Sequence, residues 1–141
     1  MSTRDVSLIH GCPVPNNVVL VEAHEPHFSR LMASALLVVI PLTAGRLRGA
    51  GEASFLNAMW HGRPVICADD LSAAEYFENG VEGIVVSPGN PARLRDAILA
   101  LWRNREKAEA IGQAGMRRAE AEHTQLHFVQ RMFALADPER S

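Results

Sequence analysis

The chain of 141 residues has little of several features that would point to particular classes of protein. Its formal net charge of −2 gives none of the basic excess that nucleic-acid-binding proteins normally carry. Its longest apolar run, residues 33–42, is broken by Ser34 and Pro41. That run is far shorter than the roughly 20 residues needed to cross a bilayer. The first five residues are polar and have no signal-peptide pattern.

Cysteine, lysine and nucleophile motifs are also scarce. The two cysteines, Cys12 and Cys67, provide no disulfide framework, which favours a reducing cytoplasmic compartment. The single lysine, Lys107, falls in a late helical segment, so there is no P-loop lysine, and the Gly-x-Ser-x-Gly motif is absent too. Two histidine pairs lack a carboxylate or cysteine to complete a metal site, and we predict no bound metal. The pairs are His24 with His27 and His123 with His127.

What the chain does contain is an alternation of strand and helix patterns. Its hydrophobic fraction of 48% and charged fraction of 21% suit one soluble domain with one core. Continuous apolar runs predict buried strands at residues 18–21, 36–40, 64–68 and 84–86. Strands of this kind, alternating with helices, predict a Rossmann-like three-layer α/β/α domain over residues 17–136, with a parallel sheet of at least four strands. Residues 1–16 give no clear pattern, and we expect residues 137–141 to be a frayed tail.

The helical segments carry apolar stripes that predict which side chains face the core. Asn90 and Pro91 predict the start of a long helix, as N-cap and first helical residue. Gly62 is in a C-cap position after the segment at about residues 52–61, in which the inward side chains are Phe55, Leu56, Met59 and Trp60. In the last segment, at about residues 124–136, they are Phe128, Val129, Met132 and Phe133.

An open parallel sheet binds ligands at the carboxyl ends of its strands, and the loop over residues 43–51 is the strongest candidate there. It leads into a helix N-terminus, where free N–H groups and the helix dipole favour phosphate. A diphosphate would be held by the backbone of Gly49, Ala50 and Gly51 and by the charges of Arg46 and Arg48. The alternative is an ordinary connection whose arginines are simply solvated.

Two segments, residues 56–66 and 79–90, carry a resemblance to a known family. The first, Leu-Asn-Ala-Met-Trp-His-Gly-Arg-Pro-Val-Ile, is similar to the Leu-Glu-Ala-Met-Ala-x-Gly-x-Pro-Val-Val of group 1 glycosyltransferases. The second, which begins Asn-Gly-Val-Glu-Gly, is similar to the family's Asp-Gly-x-Asn-Gly-Leu-Leu-Val-Pro-Pro-Gly-Asp. Both occur in the expected order, so the chain resembles the C-terminal, nucleotide-sugar-binding domain of a GT-B type enzyme.

The resemblance implies retaining transfer of a sugar from a nucleoside-diphosphate sugar to an acceptor hydroxyl, without a cofactor, as in polysaccharide biosynthesis. It implies that an N-terminal acceptor-binding domain or a partner chain completes the enzyme. Asn57 stands where the family has a glutamate that holds the ribose hydroxyls, and an amide can still bond to them. Gly49 replaces the family's other glutamate, so Glu52 is the nearest carboxylate for the sugar. The residues expected near the base are Glu22, Ala23 and His24.

Two other functions stay open on the sequence alone. The chain could be a non-catalytic module that binds a nucleotide sugar or a partner, which the missing glutamates favour. It could also be half of a related two-domain sugar enzyme such as a nucleotide-sugar epimerase. We expect a cytoplasmic location, with a partner able to bring the chain to a membrane surface, and no catalytic residue can be named.

Overall fold

A small parallel sheet forms the centre of the protein. The structure, a computed structural model, describes residues 15–19, 21, 24–42, 51–68 and 73–136. Within these ranges the sheet has three strands in the order β1-β2-β3, namely β1 (Val38–Ile40), β2 (Val65–Cys67) and β3 (Ile84–Val85). Both pairs are parallel, with Val38 opposite Val65 and Ile66 opposite Ile84. The carboxyl ends of the strands therefore share one edge of the sheet.

Helices follow each strand, as the sequence predicts. They are α1 (His27–Ser34), α2 (Glu52–Trp60), α3 (Pro91–Arg103), α4 (Arg105–Glu122) and α5 (Gln125–Ala136), with a short 3-10 helix at Ala73–Glu75. The predicted start of α3 is confirmed, since Asn90 Oδ1 accepts a hydrogen bond of 3.0 Å from the N–H of Arg93. Asn104 caps α4 in the same way, because its Oδ1 accepts a hydrogen bond of 2.9 Å from the N–H of Lys107.

The sheet is the middle of three layers because its central strand is buried on both faces. Successive side chains of a strand point to opposite faces. Val65 and Cys67 therefore pack in one cluster, with α1 and with Phe55, Ala58 and Met59 of α2. Ile66 packs in the other cluster, whose helical members are Leu94, Ala97, Ile98 and Leu101 of α3 and Ala108 and Ile111 of α4. The predicted α/β class with a parallel sheet is confirmed.

Helix α4 crosses the amino ends of β2 and β3. A Cβ on Gly112 would overlap the carbonyl oxygen of Gly62, which lies just before β2. A Cβ on Gly115 would lie 3.0 Å from the carbonyl oxygen of Glu82, just before β3. These two glycines let the helix backbone approach the turns directly. The amino end of the sheet is therefore covered, and the opposite, carboxyl end is the one at which α2 begins.

The sheet differs from the prediction in its number of strands. In the part of the chain that the structure describes it has three strands, so the expected four or more are not confirmed. Val18, Val19 and Val21 are exposed and belong to no strand, while Leu20 is outside the described residues. The N–H of Val18 donates 2.9 Å to the carbonyl of Pro15, which closes a turn. A β-branched run favours an extended backbone, but a strand also needs a neighbour to pair with.

Two predictions of inward-facing side chains are wrong. Trp60, at the end of α2, is 42% exposed. On α5, the side chains expected in the core are all exposed, with Phe133 reaching 72%. No other element in the described ranges packs closely along α5. An apolar stripe shows which side chains share a helix face, but it does not show that anything covers that face. The side chains concerned on α5 are Phe128, Val129, Met132 and Phe133.

Candidate functional site

The first turn of α2 is seated on the carboxyl end of β1 by Gly51. This residue has a φ of +101°, a conformation that side chains rarely adopt. A Cβ there would lie 3.2 Å from Ile40 Cγ2 and 3.4 Å from both Leu42 Cδ1 and Phe55 Cε1. The backbone angle therefore favours glycine, and the close approach leaves little room for a side chain. The helix consequently begins directly over the edge at which parallel sheets bind ligands.

The N-terminus of α2 carries no side-chain cap. Gly51 is its N-cap residue, and its carbonyl accepts 2.9 Å from the N–H of Phe55. The N–H groups of the preceding helical residues have no carbonyl of their own helix to bond to. Such a terminus presents donors and a partial positive charge, which together favour an anion such as phosphate. The helix start predicted from the sequence is present at Gly51, whereas residues 43–50 of the predicted loop lie outside the described residues.

Glu52, the first residue of α2, interacts with the side chain of Tyr76 and changes its pKa. Burial raises the pKa of Tyr76 above its ordinary value, and so do the hydrogen bond and charge of Glu52 and, last, the charge of Glu75. These causes all favour the protonated phenol. Tyr76 follows the 3-10 helix after β2, so its interaction with Glu52 links α2 to the segment that follows the next strand.

Tyr76 is not among the residues that the sequence predicts near the site. It lies 24 positions after Glu52, and no fixed spacing connects a helix start to a residue beyond the next strand. Its ring packs edge-on against Phe55, with centroids 6.2 Å apart, and against the ring of His123 at 5.3 Å. The one available signal is that this is the only tyrosine of the chain.

Asn57 lies on the exposed side of α2. The buried residues of this helix are Phe55, Ala58 and Met59, and Asn57 falls on the opposite face. It stands five residues from Glu52, or about 7.5 Å along the helix axis. The structure thus brings together Gly51 and Glu52 at the start of α2 and puts Asn57 further along the same helix, open to solvent.

The other predicted site residues are mostly outside the described ranges. His24 is described, and it is exposed. Its carbonyl accepts hydrogen bonds from the N–H groups of His27 (2.8 Å) and Phe28 (3.0 Å), which begins α1. The predicted residues that lie outside the described ranges are Glu22, Ala23, Arg46, Arg48, Gly49 and Ala50.

The second sequence motif has a structural use before β3. Asn79 Oδ1 accepts 2.9 Å from the N–H of Val85, which fixes the turn that enters the strand. Glu82 Oε2 accepts 2.7 Å from the N–H of Glu78 and 3.3 Å from Nη1 of Arg118 on α4. The contacts of Glu82 lie in the turn before β3, at the amino end of the sheet. They account for the polar residues of the motif without a ligand.

The described residues form neither a metal-binding group nor a membrane-spanning helix. No group of three or more histidine, cysteine, aspartate or glutamate side chains in these ranges could hold a metal ion. None of the helices described is both long and apolar enough to pass through a membrane.

The fold is an α/β domain built on a small parallel sheet, and sequence comparison identifies the family. Residues 4–104 match the family described as "Glycosyl transferases group 1". This match covers well over half of the chain, so the protein belongs to the group 1 glycosyltransferase family. The resemblance seen in the two motifs is confirmed.

Particular relatives agree with this family. The chain is 35% identical over 74 residues to D-rhamnosyltransferase WbpZ of Pseudomonas aeruginosa, a match that covers 52% of this chain and 18% of WbpZ. Among solved structures it is similar to Anabaena HepE in complex with UDP, with a TM-score of 0.69 and 26% identity. That match covers 77% of this chain and 29% of HepE. HepE with UDP and glucose matches at a TM-score of 0.69 and 25% identity, with the same coverage. The chain thus spans less than a third of each relative.

Proposed function

We propose that this chain is the donor-binding part of a glycosyltransferase and holds a nucleoside-diphosphate sugar at the carboxyl edge of its sheet. The observation that carries the proposal is the uncapped N-terminus of α2, seated on β1 by Gly51. The family and the similar HepE structures, whose complexes contain UDP, UDP with glucose, and UDP-glucose, support it. A diphosphate carries the charge that a helix N-terminus attracts.

In this proposal each group of predicted residues contacts a different part of the donor. The backbone N–H groups of Gly49, Ala50 and Gly51, with the guanidinium groups of Arg46 and Arg48, bind the diphosphate. Arginine suits this task because its planar donors match phosphate oxygens. Further along the donor, Glu52 and Asn57 bind hydroxyls of the sugar and the ribose, and the segment Glu22, Ala23 and His24 lies near the base.

The proposed reaction is transfer of the sugar, with retention of its anomeric configuration, to an acceptor hydroxyl. The contribution of this chain is electrostatic, because the α2 N-terminus and the arginines stabilise the charge that builds up on the leaving diphosphate. We propose that these groups replace a metal ion. The acceptor has to be positioned by a further domain or a partner chain, since orientation of the acceptor is a large part of the rate enhancement. The setting we propose is the cytoplasm, at a membrane surface if the partner requires it.

Calorimetric titration with UDP, GDP, ADP and their sugar conjugates tests this function. We expect the wild type to bind one diphosphate selectively and Gly51→Asp to lose that binding, because the new carboxylate would lie where the diphosphate binds. Gly80→Asp is the matched control, since Gly80 also has a positive φ (+87°) but lies before β3 with no atom within 4 Å of an added Cβ. Arg46→Gln with Arg48→Gln removes charge without altering a glycine. Equal binding by Gly51→Asp and the wild type would refute the proposed diphosphate position.

A non-catalytic binding module is the second candidate. The observation that favours it is the replacement of the two family glutamates by Gly49 and Asn57. Such a module would bind the nucleotide sugar and release no UDP or GDP from it, even when a matching acceptor domain is added. Release of diphosphate that depends on both acceptor and this chain would exclude the module.

A further inference from the structure

The turn that leads into β3 contains an Asn-Gly pair, Asn79 and Gly80. Asn79 is the only asparagine of the chain that is followed by glycine. Both residues are exposed, and a Cβ built on Gly80 would meet no atom within 4 Å. Water therefore reaches the peptide bond between them. Because Gly80 has no side chain, its backbone nitrogen is little hindered toward the side-chain amide of Asn79.

An asparagine in this setting can lose its amide without an enzyme. The backbone nitrogen of Gly80, once its proton has passed to a base in solution, forms a bond to Cγ of Asn79. The bond between Cγ and the side-chain nitrogen breaks, ammonia leaves, and a cyclic imide remains. Water then opens the imide at one of its two carbonyl groups. Opening at Cγ gives aspartate, and opening at the main-chain carbonyl gives isoaspartate, so the net change is hydrolysis of an amide without oxidation.

The closed turn holds both reacting groups in hydrogen bonds. Asn79 Oδ1 accepts 2.9 Å from the N–H of Val85, and the N–H of Gly80 donates 2.7 Å to the carbonyl of Gly83. Asn79 is also paired with Gly83 in an isolated β-bridge. The nitrogen of Gly80 can attack only after it has given up its bond to Gly83, and the Asn79 side chain has to leave Val85. The rate of amide loss is therefore controlled by how often the turn opens.

We propose that Asn79 is a site of spontaneous deamidation, which the turn before β3 slows while it is closed and whose aspartate product the turn accepts. A carboxylate oxygen at this position can still accept the hydrogen bond from Val85, and a charged acceptor makes that bond stronger. Isoaspartate adds a carbon to the main chain, so the pairing with Gly83 and the bond from Val85 lose their register. Aspartate is also the first residue of the related family motif, Asp-Gly-x-Asn-Gly. The proposal is independent of the proposed function.

The experiment incubates the full chain at physiological pH and temperature, both in buffer and in urea that unfolds it. Proteolysis, chromatography and mass spectrometry then measure amide loss at each asparagine and separate aspartate from isoaspartate. We expect amide loss at Asn79 to be about tenfold or more faster in urea, because the turn is open there. Asn57 and Asn104, which alanine and arginine follow, are internal controls and should keep their amides.

Three variants test the closed turn and its product. Glu82 Oε2 accepts 2.7 Å from the N–H of Glu78 within the turn. Glu82→Ala should therefore speed amide loss in the folded protein about two- to tenfold, the range that corresponds to one hydrogen bond. Glu109→Ala, on the exposed side of α4, is the matched control and should leave the rate unchanged. Asn79→Asp should unfold at a urea midpoint no lower than that of the wild type, and thermal unfolding verifies that each variant is folded.

Several results would overturn the proposal. Amide loss at Asn79 that is no faster than at Asn57 in urea would show that this is not a deamidation site. Equal rates in buffer and in urea, or an unchanged rate in Glu82→Ala, would show that the turn does not control the reaction. A lower urea midpoint for Asn79→Asp, or isoaspartate as the main product in the folded protein, would show that the turn does not accept the product. None of these results bears on the binding of a nucleotide sugar.

Discussion

Because α4 lies close to the turn before β2, we predict that a glycine-to-alanine substitution in this helix lowers the stability of the protein. Replacing glycine by alanine inside a helix normally stabilises it by about 1 kcal/mol. At Gly112, however, the added methyl group would overlap the carbonyl oxygen of Gly62, which is backbone and cannot rotate away. The helix would have to move away from the turn and from Pro64, whose Cδ lies 3.2 Å from the added carbon. Overpacking of this kind costs about 1–3 kcal/mol or more.

We therefore expect Gly112→Ala to lower the free energy of unfolding by about 1–3 kcal/mol, as measured by urea denaturation with an unchanged m-value. Gly115→Ala should be milder, since its Cβ would lie 3.0 Å from the Glu82 oxygen. Ala110 lies on the exposed side of α4, so Ala110→Gly changes helix propensity alone. This variant should lower the free energy of unfolding by about 1 kcal/mol. If Gly112→Ala were instead more stable than the wild type by the about 1 kcal/mol expected from helix propensity, α4 would not pack against the turn as described.

Three other predictions concern a buried contact, a helix cap and a titrating group. Gly83→Ala should destabilise by about 1–3 kcal/mol in urea unfolding, because its Cβ would lie 2.5 Å from the buried ring of Phe77; a neutral result would mean that the ring can move. Asn90→Ala should cost about 1 kcal/mol by removing the cap of α3, whereas Asn90→Ser should retain most of that stability. Because the folded state raises the pKa of Tyr76, its contribution to stability is present at neutral pH and is lost as the pH rises above about 10. Unfolding measured from pH 8 to 11 should lose this dependence in Tyr76→Phe, and an identical pH profile would contradict the assignment.

The unit from α2 to β2 could be predicted closely because its signals are local. The apolar stripe, Gly62 and the apolar run after Pro64 lie next to each other in sequence. In the structure α2 ends at Trp60, Gly62 has a φ of +61°, and the N–H of Arg63 donates 2.9 Å to the carbonyl of Ala58. This is the hydrogen bond of a glycine C-cap, which depends only on neighbouring residues. The N-cap of α3 was predictable for the same reason.

Features that depend on distant segments could not be predicted in this way. The ring contact between Phe55 and Tyr76, with centroids 6.2 Å apart, joins α2 to a residue beyond the next strand, and no sequence spacing encodes that arrangement. The exposure of Phe133 on α5 likewise depends on what packs against the helix, not on the helix itself. For the candidate site, the sequence predicted Gly51 and Glu52 at a helix start and Asn57 on the same helix, and the structure agrees with these placements. Their roles toward a donor remain predictions.

The position of α4 has a consequence for how this protein can diversify. Its glycine contacts secure the amino ends of β2 and β3, whereas α2 begins at the other end of the sheet. Mutations that alter recognition at the carboxyl end therefore leave these fastening contacts intact. Substitutions near the start of α2 can therefore accumulate on a scaffold whose stability is secured elsewhere.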